Sequence, residues 1–447
     1  MSAERPWSGR RIHFVGVGGA GMSGYARAAH ALGAQVSGSD RAVSSYIERL
    51  QADGVLRALI GHEARNVPAG EDVEVVYSSA VAAENPERRA ARERGLRERP
   101  RAQLLGELTA LRRTIAVAGT HGKTTTASML ARALLEAGLR PGWLVGATIG
   151  GGLANAEWGE GEWLVVEADE SDRSMLSLNV EIVLLTNVEL DHHATFASLA
   201  ELQGTFRELL AHAARAIVIW DRPELLALAP ADVELVPYDA PDPALGPGSS
   251  RFHWRGHEVT LAVAGAHNAV NAAGALEAAR LAGAEPAAAI SALAGFHGAG
   301  RRFQALGESA GGALVYDDYA HHPTEVAATL AGARTLERRR LVAVFQPHLY
   351  SRTRMLAREF GRALAIADVV AVLDVYPARE RAEDHPGVSG LLVAAAAADA
   401  ASGRPVYWLP RFAEAEPVLG EVLGAGDVCV VMGAGDVDRL ARGLVRS

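Results

Sequence analysis

A loop rich in glycine and threonine, Gly-Thr-His-Gly-Lys-Thr-Thr, spans 119–125 and contains Lys123. Lys123 is the only lysine in the sequence, and the other basic residues among the 44 lysines and arginines are all arginines. An apolar stretch precedes the loop and a helical stretch follows it. Backbone N–H groups of such a loop can surround phosphates, while the lysine contacts their oxygens and a threonine, here Thr124, binds Mg²⁺. Arginine cannot replace the compact ammonium group of a lysine at such a site. The loop therefore predicts a triphosphate site, with an ordinary structural turn as the alternative.

This loop departs from the common P-loop pattern at one position. Val117 stands where G-x-x-x-x-G-K-[ST] has its first glycine. About 40 residues further on, the acidic run VEADESD (166–172) follows another apolar stretch, and a carboxylate there could supply a second Mg²⁺ ligand. A solvated acidic loop is the alternative. The run Asp191-His192-His193 ends a further apolar stretch and predicts a metal or phosphate contact, or only a polar turn.

A second glycine pattern lies near the N-terminus. Gly16, Gly18 and Gly21 fit G-x-G-x-x-G after an apolar strand, and Asp40 follows about 20 residues later. Glycines let the backbone approach a pyrophosphate, and the N-terminus of the following helix adds positive potential. The pattern indicates a phosphate site of the Rossmann type, which suits a dinucleotide or a UDP-sugar. A tight turn without a ligand is the alternative.

Several polar groups follow apolar segments in the second half of the chain. His267, Asn268 and Asn271 begin a helical stretch, where the two amides share one face and could contact a base, or cap the helix. Arg301 and Arg302 at a domain junction could clamp a phosphate. The runs VYDDYAHHPTE (315–325) and FQPHLYSRTR (345–354) each follow a strand, at the sheet edge where α/β proteins bind ligands.

The elements that must position these groups alternate between apolar strands and helices, which predicts parallel sheets and three α/β domains. The segment 84–107 predicts a solvated helix before a boundary near 108–113, and 239–250 predicts a loop. A net charge of −9 argues against nucleic acid as a main partner. We expect no membrane insertion and a cytoplasmic location, because the sequence shows no secretory signal and no apolar run of membrane-spanning length. The single cysteine, Cys429, excludes an intrachain disulfide.

Taken together, these motifs resemble those of the Mur ligase family from about residue 11 to 437. The strings stand in family order, and the family shares the shortened P-loop: HFVGVGGAGMSG, AGTHGKTTT, EADESD, HNAVNA, GRRFQ, DDYAHHPTE, FQPH and MGAGD. The resemblance implies a Rossmann-like UDP-N-acetylmuramate-binding domain over 1–110, a P-loop ATPase-type domain over 111–299, and a Rossmann-like amino-acid-binding domain over 300–447. It also implies ATP-dependent joining of an amino acid to a carboxylate through an acyl phosphate, with release of ADP and phosphate.

The presence of only one lysine indicates which branch of the family the sequence resembles. Members that add later residues, and the related folylpolyglutamate synthases, generally use a carbamylated lysine beside the metals. Only Lys123 is available here, and the P-loop already uses it. The resemblance therefore implies the branch that joins L-alanine to UDP-N-acetylmuramate in peptidoglycan precursor synthesis, with ATP and Mg²⁺, in a monomer or homodimer.

Carried over position by position, the resemblance implies roles for individual residues. Lys123 would contact the transferred phosphate, Thr124 and Glu167 would hold one Mg²⁺, and His192 would hold a second. Arg302 would contact the γ-phosphate and, with Lys123, Glu167 and His192, would be catalytic. The other residues implied to bind ATP are Gly119, Thr120, His121, Gly122, Thr125, His267, Asn268, Asn271 and Asp318. Those implied to bind UDP-N-acetylmuramate are Gly16, Gly18, Gly19, Ala20, Gly21, Met22, Ser39, Asp40, Ser78, Ser79 and His193. Those implied to bind L-alanine are Tyr319, His321, His348 and Arg352.

Two positions depart from the family pattern, and two other functions remain as alternatives. Leu349 stands where the family usually has arginine, and Ala194 replaces a common acid, which puts one substrate contact and the second metal site in doubt. An NAD-dependent oxidoreductase built on the N-terminal glycines would leave the P-loop unexplained. A P-loop switch acting on a protein partner would leave the histidine-rich motifs unexplained.

Overall fold

The computed structural model describes residues 5–193 and 195–446, with only the backbone of Arg446. Ala194, one of the two departures from the family pattern, lies outside the described residues. The first of two compact units comprises Met1–Glu189, Leu199–Asp239 and Gly274–Ala292, and the second comprises Leu190–Ser198, Ala240–Ala273 and Leu293–Ser447. None of the described helices combines the length and the apolar character that crossing a membrane requires.

The first unit begins with a parallel five-stranded sheet in the order β3-β2-β1-β4-β5. Its strands are β1 (Arg11–Val15), β2 (Gln35–Asp40), β3 (Leu59–Ile60), β4 (Val73–Tyr77) and β5 (Arg97–Pro100). Its helices are α1 (Ala20–Ala31), α2 (Ser45–Ala52), α3 (Pro86–Glu93) and α4 (Arg101–Ala110), with a 3₁₀ turn over Ala64–Asn66. β1 is the central strand, so its carboxyl end delivers the glycine turn to the middle of the sheet edge.

The second sheet of the first unit has seven strands in the order β12-β11-β10-β6-β9-β7-β8, where only β8 is antiparallel to its neighbour. Its strands are β6 (Arg113–Ala118), β7 (Gly142–Leu144), β8 (Ala156–Glu157), β9 (Trp163–Glu167), β10 (Ile182–Leu185), β11 (Ala216–Trp220) and β12 (Glu234–Tyr238). The helices of this region are α5 (Lys123–Glu136), α6 (Leu199–Ala211) and α7 (Pro223–Leu226), with a 3₁₀ turn over Ser174–Ser177. The P-loop joins β6 to α5, and β9 and β10 flank β6 on its two sides.

An antiparallel three-stranded sheet and two helices come next in the chain. They are β13 (Ala244–Gly246), β14 (Ser249–Trp254), β15 (His257–Leu261), α8 (Ala266–Leu281) and α9 (Pro286–Ala294). The three strands lie in the second unit.

A six-stranded sheet forms most of the second unit, in the order β16-β17-β21-β18-β19-β20, where only β16 is antiparallel to its neighbour. Its strands are β16 (Gln304–Glu308), β17 (Leu314–Asp318), β18 (Leu341–Phe345), β19 (Val369–Val372), β20 (Val406–Trp408) and β21 (Val428–Met432). Its helices are α10 (Pro323–Ala333), α11 (Tyr350–Leu364), α12 (Gly390–Ala400), α13 (Phe412–Val422) and α14 (Asp438–Arg446), with a 3₁₀ turn over Ala382–Asp384. Buried aliphatic side chains cover both faces of this sheet.

The α/β class is confirmed, whereas two local predictions are wrong. The segment 84–107 is not one helix, because α3 ends before Gly95, which has a φ of +66°, and the chain then pairs with β4 as the edge strand β5. The segment 239–250 is not only a loop, because it contains β13 and the start of β14. Both segments are rich in residues that disfavour strands, so pairing with a neighbouring strand outweighs local propensity there.

Candidate active site

The P-loop backbone is shaped by two glycines and by the residues that follow β10. Gly119 and Gly122 have φ angles of +135° and +80°, and a Cβ on Gly119 would lie 2.1 Å from Thr186 Oγ1. His121 N donates to Asn187 Oδ1 at 2.8 Å, and His121 O accepts from Asn187 Nδ2 at 3.0 Å. Thr120 Oγ1 donates to the carbonyl of Glu189 at 2.9 Å. The loop is therefore held in one conformation by its own unit.

The Lys123 ammonium group lies inside this loop. Its Nζ donates to the carbonyls of Gly119 and Thr120 at 2.6 and 3.0 Å and is 2.9 Å from Glu170 Oε2. The Glu170 side chain is completely buried. Burial alone would lower the pKa of Lys123, but the carboxylates of Glu170, Glu167 and Asp169 raise it above its usual value. The lysine is therefore charged, and a phosphate that binds it must compete with a buried carboxylate.

Two oxygen-bearing side chains suited to bind a metal ion are neighbours, Thr124 at the start of α5 and Glu167 at the end of β9. Thr124 Oγ1 donates to Glu167 Oε1 at 2.8 Å, and Gly146 N donates to Glu167 Oε2 at 2.6 Å. A Cβ on Gly146 would lie 2.7 Å from that second oxygen, so a larger residue there would displace the carboxylate of Glu167. A hydroxyl beside a carboxylate matches the oxygen ligands that Mg²⁺ prefers. His192, the predicted second-site ligand, belongs to the other unit.

The N-terminal glycine turn closes on Asp40. Gly18 N donates to Asp40 Oδ2 at 2.7 Å, and a Cβ on Gly18 would lie 2.8 Å from the same oxygen. Gly16, with a φ of +85°, donates its N–H to the Ser39 carbonyl at 2.9 Å. A Cβ on Gly19 would meet nothing within 4 Å, so the approach to the N-terminus of α1 is open there. This geometry suits close approach of a phosphate.

The other predicted sugar-nucleotide contacts of this unit differ in accessibility. Ser78 and Ser79 follow β4, and Ser79 is exposed, whereas Met22 is buried in α1. Ala20 begins α1 directly after the open turn. Ser39 is buried and its hydroxyl donates to Glu87 Oε2 at 2.6 Å, so that hydroxyl is already committed within the protein.

The second unit contains a buried ion pair at the predicted amino-acid site. Arg352 Nε and Nη2 donate to Asp191 Oδ1 at 3.0 and 2.7 Å, and each side chain is 3% exposed. Arg352 Nη1 is 3.2 Å from His348 Nδ1. Burial alone would raise the pKa of Asp191, but Arg352 and the nearby histidines hold it well below its usual value. His192 has a φ of +52° beside this pair, and burial lowers the pKa of His193.

Aromatic rings surround the ion pair. His321 lies 6.0 Å from His348 and 5.5 Å from Tyr319 between ring centroids, and its Nδ1 is 3.0 Å from the Tyr319 carbonyl. Burial lowers the pKa of His321 to about 4 and that of His348 to about 3. Both imidazoles are therefore neutral at pH 7. The structure thus brings the four predicted L-alanine contacts together in one unit.

Two of the predicted ATP contacts of the second unit are Asp318 and Arg302. Asp318 at the end of β17 accepts from the N–H groups of Phe303 and Ala320 at 2.7 Å each, and burial raises its pKa to about 6. The Arg302 guanidinium carbon lies 4.7 Å from the centre of the Tyr319 ring. The predicted phosphate contact and one predicted L-alanine contact are therefore neighbours.

The residues at the start of α8 make local contacts. Asn268 Nδ2 donates to the Ala264 carbonyl at 2.7 Å, and Asn271 Nδ2 donates to Asn268 Oδ1 at 3.4 Å. Burial lowers the pKa of His267 to about 4. In both bonds an amide nitrogen donates, whereas an N-cap side chain accepts from a backbone N–H, so these bonds do not decide between helix capping and contact with a base.

Leu349 adopts a left-handed backbone conformation, with a φ of +72°, directly before α11. It is 7% exposed, and its N–H donates to the Tyr376 carbonyl at 2.9 Å. This departure from the family motif therefore leaves an apolar, buried side chain beside His348.

Sequence reasoning missed the partners that hold the predicted cations. Glu170 was within the acidic run, but the run alone does not tell which carboxylate reaches Lys123. Asp191 is 161 residues from Arg352, so no local spacing connects them. Asn187 follows a buried strand adjacent to β6, and an amide in that position was a signal that could have been used.

Three family models match successive parts of the chain. They are the catalytic domain of the Mur ligase family over 11–113, the Mur ligase middle domain over 117–279, and the glutamate ligase domain of the Mur ligases over 301–435.

Curated relatives and a solved structure match nearly the whole chain. The UDP-N-acetylmuramate–L-alanine ligase of Rubrobacter xylanophilus is 43% identical, with 97% of this chain and 99% of the relative covered. The protein of the same name from Kineococcus radiotolerans is 45% identical, with 96% and 94% covered. The structure of the UDP-N-acetylmuramate-alanine ligase from Thermotoga maritima has a TM-score of 0.83 at 26% identity and 98% coverage of both chains. On this evidence the chain belongs to the Mur ligase family.

Proposed function

We propose that this protein joins L-alanine to the carboxylate of UDP-N-acetylmuramate at the expense of ATP, in peptidoglycan precursor synthesis. The observation that carries the proposal is the P-loop, where the sole lysine of the chain sits beside the Thr124–Glu167 oxygen pair. The names of the full-length relatives supply the substrates. An oxidoreductase would leave this site without a role.

The proposed substrates divide among three groups of residues. The glycine turn would take the pyrophosphate of the sugar nucleotide and Asp40 a ribose hydroxyl, and the P-loop would take the phosphates of ATP. Arg352 would take the carboxylate of L-alanine, for which its planar fork is suited. We further propose that three domains, over 1–110, 111–299 and 300–447, carry these tasks, in a cytoplasmic monomer or homodimer.

The proposed reaction requires that the muramyl carboxylate be activated before an amine can attack it. Transfer of the γ-phosphoryl group to the muramyl carboxylate gives an acyl phosphate and ADP; the amine of L-alanine attacks the acyl carbon, and phosphate leaves. Lys123 and Arg302 would stabilise charge on the transferred group. Thr124 and Glu167 would hold Mg²⁺, which neutralises phosphate charge when bound. Because burial lowers the pKa of His321 to about 4 and that of His348 to about 3, both imidazoles are weak bases, and the proton that the amine loses would pass to the departing phosphate.

The test is phosphate release with ATP, Mg²⁺ and UDP-N-acetylmuramate, in parallel with L-alanine, glycine, L-serine or no amino acid. We expect release to require both the sugar nucleotide and L-alanine. The variant K123R keeps the charge but not the compact ammonium group, so it should lose most of the activity. Release from ATP alone, without regard to the other substrates, would contradict the proposal and favour a switch.

A further inference from the structure

Arg101, the first residue of α4, binds the acidic segment, which we define as residues 167–174. Its Nε donates to Asp172 Oδ2 at 2.8 Å, and its Nη2 donates to Asp169 Oδ2 at 2.8 Å and to Ser174 Oγ at 3.4 Å. The Arg101 side chain is only 14% exposed. The guanidinium thus bonds two carboxylates and one hydroxyl of the acidic segment.

The remaining amino group of Arg101 faces the glycine turn. A Cβ on Gly21, in the first turn of α1, would lie 3.2 Å from Arg101 Nη1 and 3.8 Å from the Tyr25 hydroxyl. Burial raises the pKa of Tyr25 to about 12, so the phenol stays neutral and does not neutralise the arginine. The positive end of α1 and the guanidinium therefore lie side by side.

The acidic segment contains the groups that serve the P-loop. Glu167 accepts a hydrogen bond from the Thr124 hydroxyl, and Glu170 forms an ion pair with Lys123. Asp169 lies directly before Glu170, so its position is linked through the backbone to both carboxylates. A second connection runs from α2, where Tyr46 OH donates to the Gly146 carbonyl at 3.2 Å, while Gly146 N donates to Glu167.

We propose that Arg101 is a positioning residue that couples ligand binding at the glycine turn to nucleotide binding at the P-loop. The inference rests on the proposed function, because it takes the ligand of the glycine turn to be the sugar nucleotide. An anion at the turn attracts Nη1 and restricts the guanidinium. The guanidinium in turn fixes Asp169 and Asp172, and thereby the carboxylates that meet Lys123 and Thr124.

Coupling of this kind has a measurable sign and size. A pre-ordered acidic segment lowers the ordering cost of nucleotide binding, so each ligand strengthens binding of the other. Linkage requires the two enhancements to be equal, and we expect a factor of about five or more. Loss of Arg101 should bring this factor to about one while both ligands still bind.

The experiment is isothermal titration calorimetry without L-alanine. The Mg²⁺ complex of the β,γ-imido analogue of ATP is titrated with and without saturating UDP-N-acetylmuramate. The proteins compared are the unaltered chain, R101Q, and the matched control R113Q, whose arginine pairs with Glu162 and Glu181 in the same unit. Two further variants show whether R101Q acts through the position of the acidic segment or through a folding defect. R101K keeps the positive charge, and D169N removes one acidic partner of Arg101.

The outcomes distinguish the coupling from the proposed function. Coupling that is lost in R101Q and D169N, partly restored in R101K and kept in R113Q supports the proposal. A coupling factor of R101Q equal to that of the unaltered protein, or no coupling in the unaltered protein, overturns the coupling alone. Failure of the unaltered protein to bind UDP-N-acetylmuramate overturns both the coupling and the proposed function.

Discussion

Two cations proposed to bind substrates are each paired with a buried carboxylate. Lys123 meets Glu170, and Arg352 meets Asp191. Leaving a buried charge without a partner costs several kcal/mol. The acidic partners therefore keep each cation in place, and each one competes with the anionic group that the cation is proposed to bind.

At the residue scale, we expect E170Q to lower the pKa of Lys123. Burial favours the neutral amine, and Glu170 is the largest of the nearby charges that oppose it. Because Lys123 is the only lysine of the chain, any modified lysine identified by mass spectrometry is Lys123. The measurement is the rate of acylation of Lys123 as a function of pH, with the midpoint moving to lower pH in E170Q.

The matched control for this prediction is E162Q. Glu162 lies in the same unit, but its side chain is 67% exposed and pairs with Arg113. Its removal should leave the titration of Lys123 unchanged, since solvent screens exposed charges. Equal midpoints for E170Q and the unaltered protein would show that Glu170 does not set the charge state of the lysine.

At the element scale, one buried carboxylate on helix α3 contacts two strands of the first sheet and the 3₁₀ turn that follows β3. Glu87 of α3 accepts from Ser39 of β2 at 2.6 Å and from Asn66 at 2.9 Å, and it lies 2.9 Å from His13 Nε2 of β1. Burial alone would raise the pKa of Glu87, but these hydrogen bonds lower it to about 2. The network fixes β2, which carries Asp40 to the glycine turn.

We expect E87Q to destabilise the first unit by roughly 2–4 kcal/mol at pH 7, because an amide is a weaker acceptor for several buried donors. A lowered pKa means that ionised Glu87 stabilises the fold above its unfolded pKa near 4.5 and that this contribution disappears as the pH falls to about 2. Urea unfolding of E87Q and the unaltered protein should therefore differ less at pH 3 than at pH 7.

The exposed Glu63, which pairs with Arg65 at the surface, gives the matched control E63Q. Exposed pairs contribute little, so this variant should unfold like the unaltered protein. A deficit for E87Q that stays constant from pH 7 to pH 3 would contradict the role given to the ionised carboxylate.

The elements near the glycine turn and the P-loop could be predicted, since each motif follows a buried strand and begins a helix. Their side-chain partners could not, because a hydrogen bond such as that between Ser39 and Glu87 joins residues 48 positions apart. The strand β5 was missed for a similar reason. The charged sequence Arg97–Pro100 has no strand pattern and is ordered by pairing with β4.

At the scale of the whole molecule, the residues proposed to bind ATP belong to both compact units. Lys123 and Thr124 lie in the first unit, and Asn268, Arg302 and Asp318 lie in the second. If one nucleotide contacts both sets, binding must restrict the motion of one unit relative to the other. We therefore expect the two units to close around the substrates, which would also exclude water from a reactive acyl phosphate.

We therefore expect the radius of gyration to fall when the protein binds the Mg²⁺ complex of an ATP analogue together with UDP-N-acetylmuramate. Small-angle X-ray scattering with and without the ligands measures the change. In R302Q the second unit loses its proposed phosphate contact, so nucleotide should still bind the P-loop while the radius decreases less. Scattering curves of the unaltered protein that remain identical at saturating ligand would contradict closure, and would require a reaction in which the units keep one arrangement throughout.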